Sequence, residues 1–233
     1  MNRLTPKQIY NKLSEVYDRS YGSRIHELED EYIYDYLAEN SFTKGSLLDL
    51  GSGTGSILNH LGIRKEEYTG IDVSDKMIEI SSKKFRGYNF AIATMTNLPF
   101  EGESYDNVIS LFGSFSYAYK PTKAVKELDR VLKPNGKFLI MACGKKYKYR
   151  ESYILNKFDI ESPARFFSRD ELKDLFFGFS NVKIFSMTWL SEKLAEILPY
   201  RLARLYHHFE TKYLSRFIPE QFYFHIITGQ KDA

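Results

Sequence analysis

Leu47 to Leu58 reads LLDLGSGTGSIL: a short apolar run, an acidic residue, three alternating glycines and a helix-compatible segment. Ser46 to Leu50 is apolar enough for a buried strand, and Thr54 to Leu61 can start a helix. The backbone between them must reverse tightly. Glycines at 51, 53 and 55 permit positive φ and present no Cβ, so a ligand can lie against bare backbone at a helix N-terminus. A dinucleotide fingerprint, G-x-G-x-x-G, would need glycine where this chain has Ser56; the pattern here is D-x-G-x-G-x-G from Asp49 to Gly55.

Outward from that turn, strands and helices alternate. Tyr68 to Val73 reads as the second strand, Ser74 to Phe85 as a helix capped by Ser74, Tyr88 to Ala93 as the third strand and Tyr105 to Leu111 as the fourth. Pro121 to Leu132 forms a helix, Pro134 to Gly136 a turn and Lys137 to Ala142 the fifth strand. Near-continuous apolar strands alternating with helices imply a parallel sheet covered on both faces. Before this core, apolar residues from Ile9 to Leu37 recur at three- and four-residue spacing, giving two amphipathic helices with Tyr17, Asp18, Tyr21 and Gly22 at the break. Beyond it, Ser168 and Glu171 form a capping box for a helix to Phe177, and Val182 to Thr188 and Phe222 to Thr228 read as closing strands. Between those strands, residues 189–219 carry an apolar stripe through Leu190, Leu194, Ile197, Leu198, Leu202, Leu205, Phe209, Tyr213 and Phe217, which Pro199 divides into two helices.

A length of 233 residues suits one domain that buries roughly 70 to 75% of its unfolded surface. Cys143 is the only cysteine, so no intrachain disulfide forms. No run of about 18 apolar residues occurs and the first residues lack the apolar core of a signal peptide, so the expected location is the cytoplasm. A net charge of +3 falls short of the concentrated positive field of a dedicated nucleic-acid binder.

Asp72 ends the second strand about twenty residues past the glycine turn, where a carboxylate reaches a ribose in nucleotide-binding α/β folds. Met77, five residues on, offers a polarizable thioether to a flat base. With LLDLGSGTG and YTGIDVSDKM, the segments TNLPF (Thr96 to Phe100), SYDNVIS (Ser104 to Ser110) and VLKPNGKFLI (Val131 to Ile140) make the chain resemble class I S-adenosylmethionine-dependent methyltransferases, in particular the small-molecule methyltransferase-domain type 11 and 25 group.

The resemblance implies a doubly wound α/β fold with a seven-stranded Rossmann-like sheet, its last strand antiparallel. It covers residues 40 to 144 well and the closing strands more loosely. The expected organisation is a single domain over 1–233: an N-terminal helical lid at 1–40, a cofactor-binding core at 41–144 and substrate-side elements at 145–233, including the helical insertion 189–219 before the last strand. It further implies S-adenosyl-L-methionine as cofactor, S-adenosyl-L-homocysteine as product and no metal. Asp49, Gly51, Ser52, Gly53 and Gly55 would lie under the methionine moiety, Asp72 at the ribose, Val73 and Met77 against adenine, with further contacts from Thr94, Met95, Thr96 and Leu111. Many relatives have aspartate where this chain has Thr94. Tyr17 and Tyr21 match the tyrosines of a helical lid.

The stretch Leu111 to Tyr117 follows the fourth strand, where the family's methyl group and acceptor meet; Phe112, Gly113, Ser114, Phe115 and Tyr117 are the expected substrate wall. In-line displacement from a sulfonium needs mainly a well-placed nucleophile and exclusion of water. A neutral amine needs no strong base and a hydroxyl does. Tyr117, His26, His207, His208 and His225 are the candidate bases, and none has a sequence neighbour that fixes its role. The expected reaction is methyl transfer to N or O of a small molecule. Two other readings stay open: an RNA-directed methyltransferase using the basic run Lys145, Lys146, Lys148 and Arg150 interleaved with Tyr147 and Tyr149, and a noncatalytic cofactor-binding protein. The insertion 189–219 is expected to cap the substrate pocket, with a homo-oligomer contact and an anionic membrane as the other occupants of its surface.

Overall fold

The computed structural model describes residues 4–147, 163–190 and 192–233. Its centre is a seven-stranded sheet: β1 (Leu47–Leu50), β2 (Tyr68–Asp72), β3 (Asn89–Ile92), β4 (Tyr105–Ser110), β5 (Leu132–Cys143), β6 (Ser180–Met187) and β7 (Phe224–Gln230), in spatial order β3-β2-β1-β4-β5-β7-β6. The first five strands pair in parallel, and β7 inserts antiparallel between β5 and β6. Side chains alternate across this sheet, so neighbours in sequence serve opposite cores. Leu48, Val108, Phe138 and Ile140 meet Leu128 and Phe176 on one face. Leu47, Ile109, Leu139, Met141 and Ile226 meet Ile33, Tyr34 and Leu37 on the other.

The helices start where the side chains dictate. Helix α1 (Pro6–Leu13) has Thr5 and Gln8 in a capping box and Pro6 at its first turn. A single turn, α2 (Tyr17–Ser20), and a long helix, α3 (Arg24–Glu39), complete the lid region. Ser74 caps α4 (Asp75–Lys84) through the Met77 amide, Pro121 begins α5 (Pro121–Val131), and Ser168 with Glu171 boxes the start of α6 (Arg169–Leu175). Pro199 separates α7 (Glu192–Ile197) from α8 (Tyr200–Lys212).

Three expectations change. The helix foreseen from Thr54 is one 3₁₀ turn, Ser56–Asn59, because Gly55 at φ +78° precedes it without a capping side chain and so short a segment cannot offset the cost of nucleation. Residues Pro134 to Gly136 bulge within β5: Tyr105 pairs with Leu132 and Asn107 with Lys137, and Asn135 takes φ +62° to absorb the extra length. The apolar stripe of the insertion faces largely outward. What the insertion buries is Leu190, Ala195 and Ala203 against Ile25 and Leu28 of α3. Arg24 ties the two units by donating to the carbonyls of Ala195, Glu196 and Leu198.

Strand order reverses between β1 and β4, and in open α/β sheets the crevice outside the carboxyl ends at such a point receives the ligand. Here the ends of β1 and β4 are tied together: the Ser110 hydroxyl donates to the Leu50 carbonyl (2.9 Å) and the Ser114 hydroxyl to the Gly51 carbonyl (3.2 Å).

Candidate active site

The glycine turn has the conformation its sequence requires. Gly51, Gly53 and Gly55 all lie at positive φ, and the amides of Gly51 and Ser52 donate to the Ile71 carbonyl, pinning the turn to the end of β2. A Cβ at Gly51 would sit 2.5 Å from that of Ser114, so the turn closes directly on the loop after β4. At Gly53 the nearest atom to such a Cβ is the Tyr17 ring at 3.9 Å, leaving the backbone open to a cavity.

That cavity, about 250 Å³, is lined by Gly51, Gly53, Ile71, Asp72, Val73, Met77, Thr94, Met95, Ser114 and Tyr117, and by Thr5, Lys7, Tyr10 and Tyr17 from the lid. A recess of about 40 Å³ beyond Gly51 brings in Asp49, Ser52, Leu111, Phe112 and Tyr34. Each oxygen of Asp72 accepts one backbone N–H, from Gly53 (3.1 Å) and from Ser74 (2.8 Å). A carboxylate has about four acceptor positions, so lone pairs remain for a ligand. Burial raises the Asp72 pKa despite these bonds. Asp49 is more deeply enclosed: the Tyr68 hydroxyl donates to it at 2.9 Å, yet burial pushes its pKa to about 7.

A third cavity of about 240 Å³ lies beside these, sharing Tyr17 with both and Phe112 with the recess. Its wall combines Asp18, His26, Glu29 and Asp30 with the rings of Tyr17, Tyr21, Phe112, Tyr147 and Phe224. Burial and the neighbouring Glu29 and Glu27 carboxylates push Asp30 to about 7. Lys84, the one lysine or arginine of this wall among the described residues, is paired with Asp18 at 2.7 Å. Phe112 holds φ +48°, an uncommon conformation for an aromatic residue, placed where the two cavities meet.

The lid is latched over the turn. Asp18 accepts from Thr54 Oγ1 at 2.6 Å and from Lys84 Nζ, and Asn11 bridges Ser74 and Asp75 at the start of α4. Tyr17 packs on Tyr21 with centroids 4.6 Å apart, and Tyr10 meets Tyr117 edge to face at 5.3 Å. Because Asp18 is half-exposed, its replacement by alanine should weaken cofactor binding only a few-fold, in line with about 1 kcal/mol for such contacts, while limited proteolysis should cut the lid markedly faster.

Several candidates stand elsewhere. Thr96 bonds Thr94 outside the cavity walls, and Gly55 packs against the Phe85 and Phe90 rings. Gly113 lies against Cys143, where a Cβ would meet the sulfur at 2.4 Å, so it serves packing rather than the substrate wall. Phe115 is buried in the core against Phe167 and Phe176, again away from the expected wall. His207 is buried at Thr188, His208 bonds the Arg204 carbonyl and His225 is buried at Ser186; none lines a described cavity. Tyr117 lines the first cavity, where it meets Tyr10, and it does not line the carboxylate cavity. Of the basic run, Tyr147 is buried and Lys146 lies over the Trp189 and Tyr223 rings; Lys148, Tyr149 and Arg150 fall outside the described residues. Among the described residues, the insertion lines none of these cavities; α3, on which it packs, supplies the acidic wall.

Sequence reasoning passed over Tyr10, Tyr34, Glu29 and Asp30. The signal was present for the last: His26, Glu29 and Asp30 are three and four residues apart, hence on one face of α3.

Residues 48–140 match the family model for a methyltransferase domain. An uncharacterised protein of Methanocaldococcus jannaschii is 31% identical over 188 residues, covering 75% of this chain and 82% of the relative. The demethylmenaquinone methyltransferase of Thermotoga maritima is 34% identical over 97 residues, 41% of this chain and 42% of that protein. Apart from the first of these, the chain spans about half the length of the curated relatives it matches. A structure from Thermotoga maritima described as an S-adenosylmethionine-dependent methyltransferase, possible histamine N-methyltransferase, superposes with a TM-score of 0.65 at 23% identity, covering 97% of this chain and 99% of that one. No helix among the described residues is long and apolar enough to cross a membrane. With its glycine turn, its Asp72 and its sheet order all in place, the chain belongs to the class I S-adenosylmethionine-dependent methyltransferases.

Proposed function

We propose that the protein transfers the cofactor's methyl group to the nitrogen of a small amine held in the carboxylate-lined cavity. The carrying observation is the makeup of that cavity, where Glu29 and Asp30 stand among aromatic rings directly beside the glycine turn. A cationic or hydrogen-bonding amine finds there both charge-assisted acceptors and ring faces. The same carboxylates disfavour an anionic oxygen nucleophile, because like charges penalise the ionised form.

The neighbouring walls fit the cofactor. Ile71, Val73, Met77 and Met95 give adenine an apolar slot, the free lone pairs of Asp72 suit ribose hydroxyls, and Asp49 beside Gly51 suits the ammonium of the methionine moiety. Bound there, S-adenosylmethionine supplies a methyl group on a positively charged sulfur, open to in-line displacement. The chain's part is to hold the acceptor nitrogen at the Phe112 junction, to exclude water with Tyr17 and Tyr21, and to take the amine proton on Asp30. A carboxyl titrating near 7 is matched to that last task at neutral pH.

Asp30→Asn is the direct test. For an amine acceptor KM should rise on the order of thirtyfold, the value of about 2 kcal/mol for a hydrogen bond to charge. The acidic limb of kcat/KM, rising toward pH 7 in the wild type, should disappear in the variant. Unchanged KM and an unchanged pH profile would remove Asp30 from the site.

The same raised carboxyls set a stability trend. In the folded protein Asp30, Asp49 and Glu210 titrate at about 7, above their ordinary values, so their protonated forms favour the fold. That contribution is full below about pH 4 and is lost as pH rises through 7. Their contribution to the Tm of ligand-free protein should therefore fall between pH 5 and pH 7 and level off above that, which calorimetry in buffers of constant ionic strength can read.

A further inference from the structure

The insertion exposes what the core left unused. Along α7, α8 and the turn that follows, large apolar side chains point to solvent: Ile197 is 78% exposed, Leu205 67% and Phe217 81%, with Leu202, Phe209 and Tyr213 about half exposed between them. On α8 the positions 202, 205 and 209 recur at three- and four-residue spacing, which places them on one stripe, and Tyr213 and Phe217 extend the exposed apolar surface past the helix end. Soluble monomers seldom leave so continuous a stripe uncovered. Cations flank it: Arg201, Arg204, Lys212 and Arg216 are all exposed, while the one acid between Tyr200 and Ile218, Glu210, is buried on the opposite side. The exposed acids of the insertion, Glu192 and Glu196, lie on α7, and Glu196 is engaged by the Arg24 amide.

We infer that this face docks the protein on an anionic lipid surface, with the apolar stripe entering the headgroup boundary and the flanking cations meeting lipid phosphates. Charge selects this occupant over a second copy of the chain. An isologous dimer through this stripe would set its cations against themselves, whereas an anionic bilayer complements Arg201, Lys212 and Arg216; Arg204 is already paired with Glu31. The geometry also connects the surface to chemistry: α8 contacts α3 through Tyr200 and Arg204 at Glu31, one residue from Asp30 in the acceptor cavity. A protein held this way would take an acceptor presented at, or released from, the lipid surface.

Sedimentation of the full chain with vesicles tests this without reference to methyl transfer. Binding to vesicles of equal parts phosphatidylglycerol and phosphatidylcholine should be at least tenfold tighter than to phosphatidylcholine alone and should weaken with added salt. Neutralising Arg201, Lys212 or Arg216 to Gln should cost about fivefold each. Leu205→Asp with Phe217→Asp should abolish sedimentation while leaving S-adenosylmethionine binding and the far-UV circular dichroism unchanged, because both side chains are exposed and line none of the described cavities. Failure of the wild type to sediment with the anionic vesicles would overturn the inference. So would a stable dimer that the Leu205→Asp, Phe217→Asp variant converts to monomer, since the stripe would then be covered by a second copy.

Discussion

Replacing Asp72 by alanine is expected to raise the dissociation constant for S-adenosylmethionine about a hundredfold, and at least tenfold. The side chain sits at the end of β2 with each oxygen already fixed by one amide, so its remaining lone pairs are aimed and need no reorganisation to accept from ribose hydroxyls. Two hydrogen bonds to a charged group contribute about 1.5–3 kcal/mol each, and the lower figure for both together gives the hundredfold. Alanine also frees the Gly53 amide, which loosens the turn that the ligand lies against. Isothermal titration reads the change directly, and Ser74→Ala serves as a control that removes the α4 cap but keeps the carboxylate. A shift of less than threefold would mean that Asp72 does not hold the ribose.

Gly51→Ala should be nearly as damaging, through the backbone. The residue needs φ +80°, a region that costs an L-residue about 1–2 kcal/mol, and the new Cβ would lie 2.5 Å from Cβ and 2.6 Å from Oγ of Ser114. The loop after β4 must move, and it carries Phe112 and Ser114 of the cavity walls. A loss of about 3 kcal/mol is expected, which for a chain of this size lowers Tm by roughly 6–12 °C. Adding Ser114→Gly should restore part of this, because it removes the clash and leaves the strained φ. Full restoration would assign the whole effect to the contact, and no loss in the single variant would show that the turn is not closed on Ser114.

The fold was legible in the sequence where one physical rule dominated. The apolar run before the alternating glycines, Ser74 and Pro121 at the starts of α4 and α5, and the Ser168, Glu171 capping box placed their elements correctly, whereas the helix expected after the glycines is a single 3₁₀ turn. The sheet order came through the family resemblance, since periodicity says nothing about which strand lies beside which. At the site, the residues of the first cavity were largely found because their roles are tied to the turn: Gly51, Asp72, Val73, Met77, Thr94 and Met95 all line it. The loop after β4 was harder. Phe112 and Ser114 line cavities, yet Phe115 turns into the core and Gly113 against Cys143, because the 3₁₀ turn Ser114–Tyr117 sends successive side chains in different directions. The acidic wall was missed for the converse reason. Glu29 and Asp30 sit in a charged helical stretch that reads as solvated surface, and only the tertiary structure shows that Glu29 is buried and that both line the cavity. The outward stripe on α8 follows the same logic: an amphipathic pattern specifies two faces, and tertiary contacts decide which is inside. Here Ala203, His207 and Glu210 were taken in and Leu205 and Phe209 left out.

The claim that the carboxylate cavity receives an amine is tested most directly by methyl transfer from labelled S-adenosylmethionine to matched panels of small amines and small alcohols or phenols, using wild type and Asp30→Asn side by side. Label should appear on nitrogen, with KM for the amine rising on the order of thirtyfold in the variant. Transfer to oxygen or carbon acceptors at an equal or greater rate, unaffected by Asp30→Asn, would contradict it.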